Sequence, residues 1–487
     1  MSKDLRSFIE LLEEMHPEEV VRVAKGPLRP AEGECVALMY HLVRQGKWPL
    51  AIFDRVTTLA GKPWPGSLAF GVAGTWSKVA IGYGLTPEEQ TPLGIETETM
   101  RRLKAAQKPV VVPASEAPVR ARELKEGEVN WFDLPGYRAH AKDARPGWVT
   151  GPIVVRDPES GRYNLSWHRE HVLAPDRATC RIATMHLWDI LNRSREQGID
   201  EVPFIQVFGH HVLFGLAASM RCGLDVDEYD FASGIMGEPL RLTASQTWGE
   251  DFLIPADAEL VMEGYISTRE RDSLGPWVEF MRYYSPQSKE AVCRMVALNM
   301  REAPIFEGTW VGQYVYSDVA HGSFLRQMLL SRFPGVGAVN YVAPYTAIIQ
   351  FKPQRPGDVR RMVGLAHAYG EYLNHIIVVD EDVDPFDLSQ VFWSIGTRVD
   401  ASKQVYVVDG LSVMWDEPMA RELVSAELAM GMGGLVVDST KPVGECFDEV
   451  GYPDPQVVDR IRLQDYVSPE KVDQLLAGKT TRPWAMK

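Results

Sequence analysis

Apolar residues recur at near-helical spacing at the start of the chain, where Leu5, Phe8, Ile9, Leu11 and Leu12 mark an amphipathic helix over 5–14. Val36, Leu38, Met39, Leu42 and Val43 repeat the pattern over 35–45, and the short apolar run Leu50–Phe53 predicts a strand. Together they predict an N-terminal α/β domain over residues 1–112. The stretch 111–130 mixes proline, charge and small residues and marks a boundary. Beyond it come short β-type runs, Trp148–Val155, Tyr163–Trp167, Arg181–Met185 and Phe204–Phe208. Turn pairs such as Asp157-Pro158 and Ser160-Gly161 punctuate them. A helix from Leu187 to Gln197, stopped by Gly198, interrupts the series, and Leu253–Tyr265 returns to strand. Residues 113–318 therefore read as a mixed sheet or partly open barrel. From residue 319 the pattern alternates again: helix over 322–332, strand over 339–351, helix over 359–373, strand over 376–379, helix over 386–395. This implies a second α/β layer structure, placed with a polar tail in a domain over 319–487. The tail, Pro453–Lys487, carries one helical stretch around Pro469–Leu476.

The length of 487 residues suits such a division, and 45% hydrophobic with 24% charged residues leaves apolar material for more than one core. A net charge of −15, with no Lys/Arg-rich block, argues against a nucleic-acid partner. It leaves a small anionic substrate open, because one well-placed arginine suffices to bind it. The five cysteines form no CxxC, which disfavours a zinc knuckle or dithiol redox centre, and their odd number disfavours a secreted disulfide framework. The N-terminus is charged and lacks an apolar signal core, and no run of about 18 apolar residues occurs. The expectation is a cytoplasmic protein without a membrane span.

Candidate chemistry gathers in the middle third. It begins with Asn164-Leu-Ser-Trp-His-Arg169, continues through His186 and Glu228, and closes with Leu274-Gly-Pro-Trp-Val-Glu279. Each piece alone has a plain structural reading: a turn-forming Asn, a packed His, a solvated acid, a surface ion pair. As a set, one amide oxygen, one imidazole and one carboxylate suit Mn2+ or Mg2+ better than a thiolate-seeking metal. A metal with few protein ligands completes its shell with water or phosphate oxygens, so the set is suited to anchoring a phosphorylated cofactor. Arg169 is suited to a substrate carboxylate, and Glu279 to moving a proton. Other signals are weaker. The acids Asp380, Asp382 and Asp384 lack the glycine and the twelfth-position glutamate of a calcium loop, and read as caps for the following helix. No G-x-G-x-x-G follows a strand, and His210-His211 reads as structural. His321 and Tyr314 lie in a Gly/Tyr-rich stretch suited to lining a pocket.

Several collinear motifs resemble the UbiD-like decarboxylases. Ser67-Leu-Ala-Phe-Gly-Val-Ala-Gly-Thr-Trp76 with Ile81-Gly-Tyr-Gly-Leu85 is similar to that family's N-terminal pattern. Asn164 through Arg169 resembles its Asn-x4-Arg element, and Glu228-Tyr-Asp-Phe-Ala232 with Gly237-Glu-Pro239 its Glu-x3-Ala and Gly-x-Pro stretch. Ile254–Gly264 and Ile376–Pro385 resemble two longer family runs. The resemblance implies a split β-barrel that binds prenylated FMN between an N-terminal α/β domain and a C-terminal α/β dimerisation domain. It implies a divalent metal, Mn2+ or Mg2+, at Asn164, His186 and Glu228, and cofactor contacts along Asn164, Leu165, Ser166, Trp167, His168 and Arg169 with Met185. It further implies K+ on backbone oxygens of Ala217, Ala218 and Met220, and catalysis by Arg169 and Glu279.

The activity so implied is reversible decarboxylation of an aromatic, heteroaromatic or α,β-unsaturated acid. The implied partners are a flavin prenyltransferase for cofactor supply and a second copy of the chain, in a homodimer or larger assembly. Two positions depart from the family pattern. Leu274 stands where the family carries a first catalytic acid, and the lysine that the family often carries near Gly434, to meet the flavin phosphate, is absent. The alternatives are an accessory subunit of a larger carboxylase complex and a plain FMN-binding protein. Leu274 shifts the expected substrate toward a flat apolar or aromatic acid.

Overall fold

The computed structural model describes residues 3–105, 107–182, 184–223, 225–310, 315–370, 373–411, 432–444, 446–448, 450–451, 454–462 and 465–471. The first elements are α1 (Leu5–Met15), β1 (Val20–Val23), α2 (Glu34–Val43), β2 (Leu50–Phe53), β3 (Ser67–Phe70), α3 (Trp76–Tyr83), α4 (Pro92–Leu103), β4 (Val110–Val111) and β5 (Arg122–Leu124). The middle adds β6 (Gly147–Arg156), β7 (Tyr163–Ala174), β8 (Arg177–Cys180), α5 (Met185–Glu196), β9 (Glu201–Phe208), α6 (Val212–Ala217) and α7 (Glu228–Met236). It continues with β10 (Arg241–Ser245), β11 (Gly249–Pro255), β12 (Leu260–Leu274), β13 (Trp277–Val278), β14 (Tyr284–Ser285), β15 (Ser288–Met300) and β16 (Ile305–Gly308). Last come α8 (Val315–Leu330), β17 (Val336–Ala343), β18 (Tyr345–Phe351), α9 (Asp358–Tyr369), β19 (Leu373–Val379), α10 (Leu388–Arg398), β20 (Val405–Leu411) and β21 (Met432–Ser439). The described residues fall into two compact units divided at Phe324/Leu325. Among them no helix is long and apolar enough to cross a membrane.

In the first unit β12, β9, β6, β7, β8 and β15 pair antiparallel in that order, and β12 pairs back with β15. The result is a closed six-stranded barrel, which leaves no bare edge around the ring. Strand neighbours alternate between two cores. Ile153, Val155, Phe204, Phe208 and Met262 join one apolar cluster. Val154, Ile205, Val207 and Val261 join another, which α1, α3, α6 and α7 also supply. Both faces are thus buried, which is why these strands read as continuous apolar runs. A second sheet runs β1-β2-β3-β16, and its last strand arrives from beyond the barrel to lie parallel to β3.

The acids of the 254–264 run hold these parts together. Glu259 accepts Arg6 Nε and Nη2 at 2.8 and 2.9 Å and the Ile305 amide at 3.0 Å. Glu263 accepts Ser245 Oγ, the amides of Gln246 and Thr247, and Asn299 Nδ2. Asp257 takes Arg241 at 2.6 Å. A run that resembles a family signature is, in this fold, a set of buried acceptors for chain ends and turns.

The second unit is a five-stranded sheet of order β17-β18-β19-β21-β20, parallel through β18, β19 and β21. Val359, Met362, Val363 and Ala366 of α9 pack with Ile349, Ile376 and Val378 on one side. Val391 of α10 packs with Ile348, Val379 and Val383.

Several boundaries differ from the sequence expectation. The strand expected over Arg181–Met185 is absent: β8 stops at Cys180, and Thr184 takes the N-cap position of α5. The strand expected over 339–351 is the hairpin β17–β18. The strand expected over 253–265 is divided between β11 and β12 by the turn that carries Asp257 and Glu259. Asp387, not the three preceding acids, caps α10 through the amides of Ser389 and Gln390. Asp382 instead binds Arg398 at 2.8 and 2.9 Å; although burial opposes it, this pairing and Lys441 hold its carboxyl down at about 2. The helix expected around 469–476 runs beyond Lys471, outside the described residues, as does Tyr314.

Candidate active site

Three separated segments meet at the first residue of α7. Asp227 caps this helix by accepting the Tyr229 amide at 3.0 Å, and so turns the Glu228 side chain toward the start of β7. Glu228 Oε2 accepts the Leu165 amide at 2.5 Å. Glu228 Oε1 accepts Asn164 Nδ2 at 3.0 Å and faces His186 Nδ1 at 3.1 Å. The expected Asn–His–Glu set is therefore assembled, with His186 in the first turn of α5 rather than at a strand end. Among the described residues no group of three or more His, Cys, Asp and Glu side chains clusters for a metal. A site here depends on the amide oxygen of Asn164 as one of its donors, which with an imidazole and a carboxylate fits a hard divalent ion. Cys222, which sequence reasoning passed over for want of a partner cysteine, lies 3.6 Å from the same Oε1. Burial first, then the Glu228 charge, pushes its thiol well up. Ala217, Ala218 and Met220 are buried at the C-terminal end of α6, where helix carbonyls lack intrahelical partners. The Ala217 carbonyl already accepts the Met220 amide at 3.1 Å.

Along β7 the expected cofactor residues are fixed by their neighbours. Ser166 Oγ and His168 Nε2 are 2.8 Å apart, and His168 Nδ1 lies 3.1 Å from the Arg181 carbonyl. Burial holds the His168 imidazole down at about 4, so it stays neutral at pH 7. Trp167 Nε1 donates to the Gly215 carbonyl at 2.7 Å. Any side chain at Gly215 would strike Tyr316, whose hydroxyl is 2.4 Å from the Cβ position. Met185 stands 65% exposed at the head of α5, available to a ligand rather than to the core.

Five residues beyond Asn164, about 16 Å of extended strand, Arg169 Nη2 donates to Glu279 Oε1. Glu279 is 5% exposed and lies at the tip of the β13–β14 hairpin. Its amide donates to the Tyr283 carbonyl at 2.9 Å, and its carbonyl accepts the Arg282 amide at 2.8 Å. This turn puts Arg282 at φ 66°, a left-handed conformation that disfavours β-branched residues. Arg282→Val is expected to cost about 1–2 kcal/mol and Arg282→Gly nearly nothing, read as thermal unfolding midpoints. Trp277 anchors the hairpin on Trp148 with centroids 4.6 Å apart, and Trp148 stacks on His171. Leu274 is buried in the same apolar cluster. Asp272, the acid nearest before Leu274 in the chain, is paired elsewhere: it accepts Arg177 Nε at 2.8 Å. Arg181 was not foreseen in a functional role, yet its Nη1 lies 3.6 Å from Glu279 Oε1.

Glu170, the neighbour of Arg169, is fully buried and accepts Gln206 Nε2 at 2.6 Å. Burial pushes its carboxyl up to about 8 from an ordinary 4.5, against the pull of the Gln206 amide. The folded chain thus keeps a proton there that the unfolded chain releases. The resulting stability is complete below pH 4.5 and is lost as pH rises toward 8. Glu170→Gln is expected to flatten the fall in unfolding free energy over that window, measured by urea titration at several pH values. An unchanged slope would refute this. Glu307, also raised to about 8 by burial, retains its own share.

Residues 110–314 match the family described as the 3-octaprenyl-4-hydroxybenzoate carboxy-lyase Rift-related domain, UbiD, and residues 316–438 match the corresponding C-terminal domain. The chain belongs to the UbiD family. A phenolic acid decarboxylase of Streptomyces sp. (strain D7) is 29% identical over 461 residues, covering 90% of this chain and 92% of that one. The phenolic acid decarboxylase of Bacillus subtilis (strain 168) is 31% identical over 371 residues, 72% of this chain and 76% of its own. Among solved structures, an evolved dimeric form of the UbiD-class enzyme HmfF from Pelotomaculum thermopropionicum, in complex with prFMN, superimposes with a TM-score of 0.80 at 25% identity. That match covers 96% of this UbiD-family chain and all of HmfF. The closed barrel and the α/β sheet that follows it are thus those of the UbiD enzymes.

Proposed function

We propose that this UbiD-family carboxy-lyase removes CO2 from an aromatic, heteroaromatic or other α,β-unsaturated carboxylic acid. The observation that carries the reading is the placement of two sites on one strand. Asn164 meets Glu228 and His186 at its start, and Arg169 meets Glu279 five residues on. The first site would hold a divalent metal, Mn2+ or Mg2+, against the phosphate of prenylated FMN, with Leu165, Ser166, Trp167, His168 and Met185 along the cofactor. When bound, that flavin supplies the sink for the electron pair left by CO2. Arg169 binds and orients the substrate carboxylate. Glu279 delivers a proton to the carbon from which CO2 has left, a transfer its burial shields from water. Leu274 and Trp277 favour a flat, apolar acid beside these groups.

Backbone oxygens of Ala217, Ala218 and Met220 would take K+, at a helix end where carbonyls carry partial negative charge. Two copies pair in a homodimer, a flavin prenyltransferase supplies the cofactor, and the enzyme works in the cytoplasm. Gly434 itself admits no side chain, since a Cβ there would stand 2.1 Å from the Asn374 carbonyl. The test is expression with a flavin prenyltransferase, then mass spectrometry of the extracted cofactor and turnover of a panel of hydroxybenzoic, heteroaromatic and aliphatic enoic acids. Stoichiometric prenylated FMN with CO2 release from an aromatic acid is the expected result. Cofactor without turnover on any acid would favour the accessory-subunit reading, which Leu274 and the missing lysine near Gly434 support. Turnover only of aliphatic enoic acids would refute the aromatic assignment.

A further inference from the structure

The second unit holds a pocket of about 530 Å³ with no part in the sites described above. Three stretches of chain build it: the turn after α8, the turn from β18 into α9, and the first half of α9. Their main chains are fixed by local bonds. The Lys352 amide donates to the Gly335 carbonyl at 2.9 Å, and a Cβ on Gly335 would stand 2.4 Å from the Lys352 carbonyl oxygen. Asp358 Oδ2 accepts the amides of Gln354 and Arg355 at 3.2 and 3.0 Å. Four cations line the pocket, Arg332, Lys352, Arg355 and Arg361, on a chain whose net charge is −15. Lys352 Nζ meets Glu381 at 2.6 Å, whereas Arg361 Nη1 stands 4.0 Å from Asp358 Oδ1, beyond a hydrogen bond. The guanidinium groups of Arg332 and Arg355 have no carboxylate partner among the described residues. Four cations facing one space against two carboxylates make it attractive to an anion. One wall is apolar: half-buried Phe333 meets the buried Phe351 edge-on, with centroids 5.7 Å apart, and Leu365 borders them. A solvated surface charge calls for neither the concavity nor the aromatic wall.

We propose that this pocket binds a small organic phosphate, with the charge of a nucleoside diphosphate and a flat body laid against Phe333. Guanidinium groups offer paired N–H donors whose spacing matches phosphate oxygens, so Arg332, Arg355 and Arg361 take the phosphates. Lys352 adds a point charge while it stays paired with Glu381. The volume lies within the range of pockets that enclose small ligands. The proposal is independent of the decarboxylase reading, because none of these residues lies on β7 or on the hairpin that carries Glu279.

The test is calorimetric titration of the full chain, purified after expression with a flavin prenyltransferase, with ADP, inorganic phosphate and adenosine as probes. ADP is expected to bind with a Kd on the order of 10–100 μM, inorganic phosphate about tenfold more weakly, and adenosine not at all. Arg332→Ser combined with Arg355→Ser is expected to weaken ADP about 10- to 100-fold. Both side chains are exposed, so melting temperature and flavin content should stay unchanged. Phe333→Leu is expected to weaken ADP severalfold and to leave inorganic phosphate unaffected. No heat with millimolar ADP would overturn the proposal, as would ADP binding that the double arginine variant keeps within twofold. Binding of inorganic phosphate as tight as that of ADP would overturn the organic-phosphate assignment. ADP uptake that releases flavin would also overturn it, because the nucleotide would then occupy the cofactor's own phosphate site.

Discussion

Glu279→Gln is expected to lower turnover by a factor of about 100 to 10,000, with flavin content and melting temperature unchanged. The two side chains have the same shape, so the β13–β14 hairpin and the Trp277 anchor are left intact. The amide still offers Arg169 an acceptor, but it has no proton to deliver to carbon. Steady-state turnover, read beside the absorbance of the bound cofactor, separates the two properties. A Gln variant with near-normal rate would remove Glu279 from the chemistry.

The second large effect is expected at Glu228. Its two oxygens serve Leu165, Asn164 and His186 together. Glu228→Gln keeps the volume but replaces one acceptor with a donor that faces other donors. The expected cost in stability is about 1–3 kcal/mol. The loss of metal should be far larger, because a neutral amide cannot replace the charge a hard cation seeks. Metal per chain, measured by plasma mass spectrometry, is expected to fall from near one to near zero, and flavin occupancy should fall with it. A Glu228→Gln protein that keeps both would sink the assignment of Asn164, His186 and Glu228 as the metal site.

Much of the fold is written in local patterns. The barrel strands are visible because both of their faces are buried, so apolar runs such as Trp148–Val155 stand out. Closure of the ring is not visible, because it depends on β12 pairing with β9 on one side and β15 on the other, with a register shift between Ile266 and Arg271. β8 ends earlier than the sequence pattern implies, because Arg181-Ile-Ala resembles a continuing strand, whereas Thr184 caps a helix there. The Asn164–His186–Glu228 set spans 64 residues of sequence between its outer members, so no local pattern joins them; their donor chemistry and the family resemblance do. Arg181 carried no signal at all, since a lone arginine after a strand looks like a surface charge. Its meaning comes from a hairpin tip nearly a hundred residues later that folds back on it.

The position of β16 has a consequence for how the chain is made. Its partner β3 ends at Phe70, while β16 spans Ile305–Gly308. During synthesis the first sheet therefore stays one strand short until the whole barrel has left the ribosome, an interval of roughly 10–50 s at ordinary elongation rates. Over that time β3 offers an unpaired parallel edge next to apolar side chains, and α1 waits for Glu259 to anchor Arg6. The nascent chain is thus exposed to wrong pairing for nearly half of its translation, and slowing elongation should lengthen that exposure.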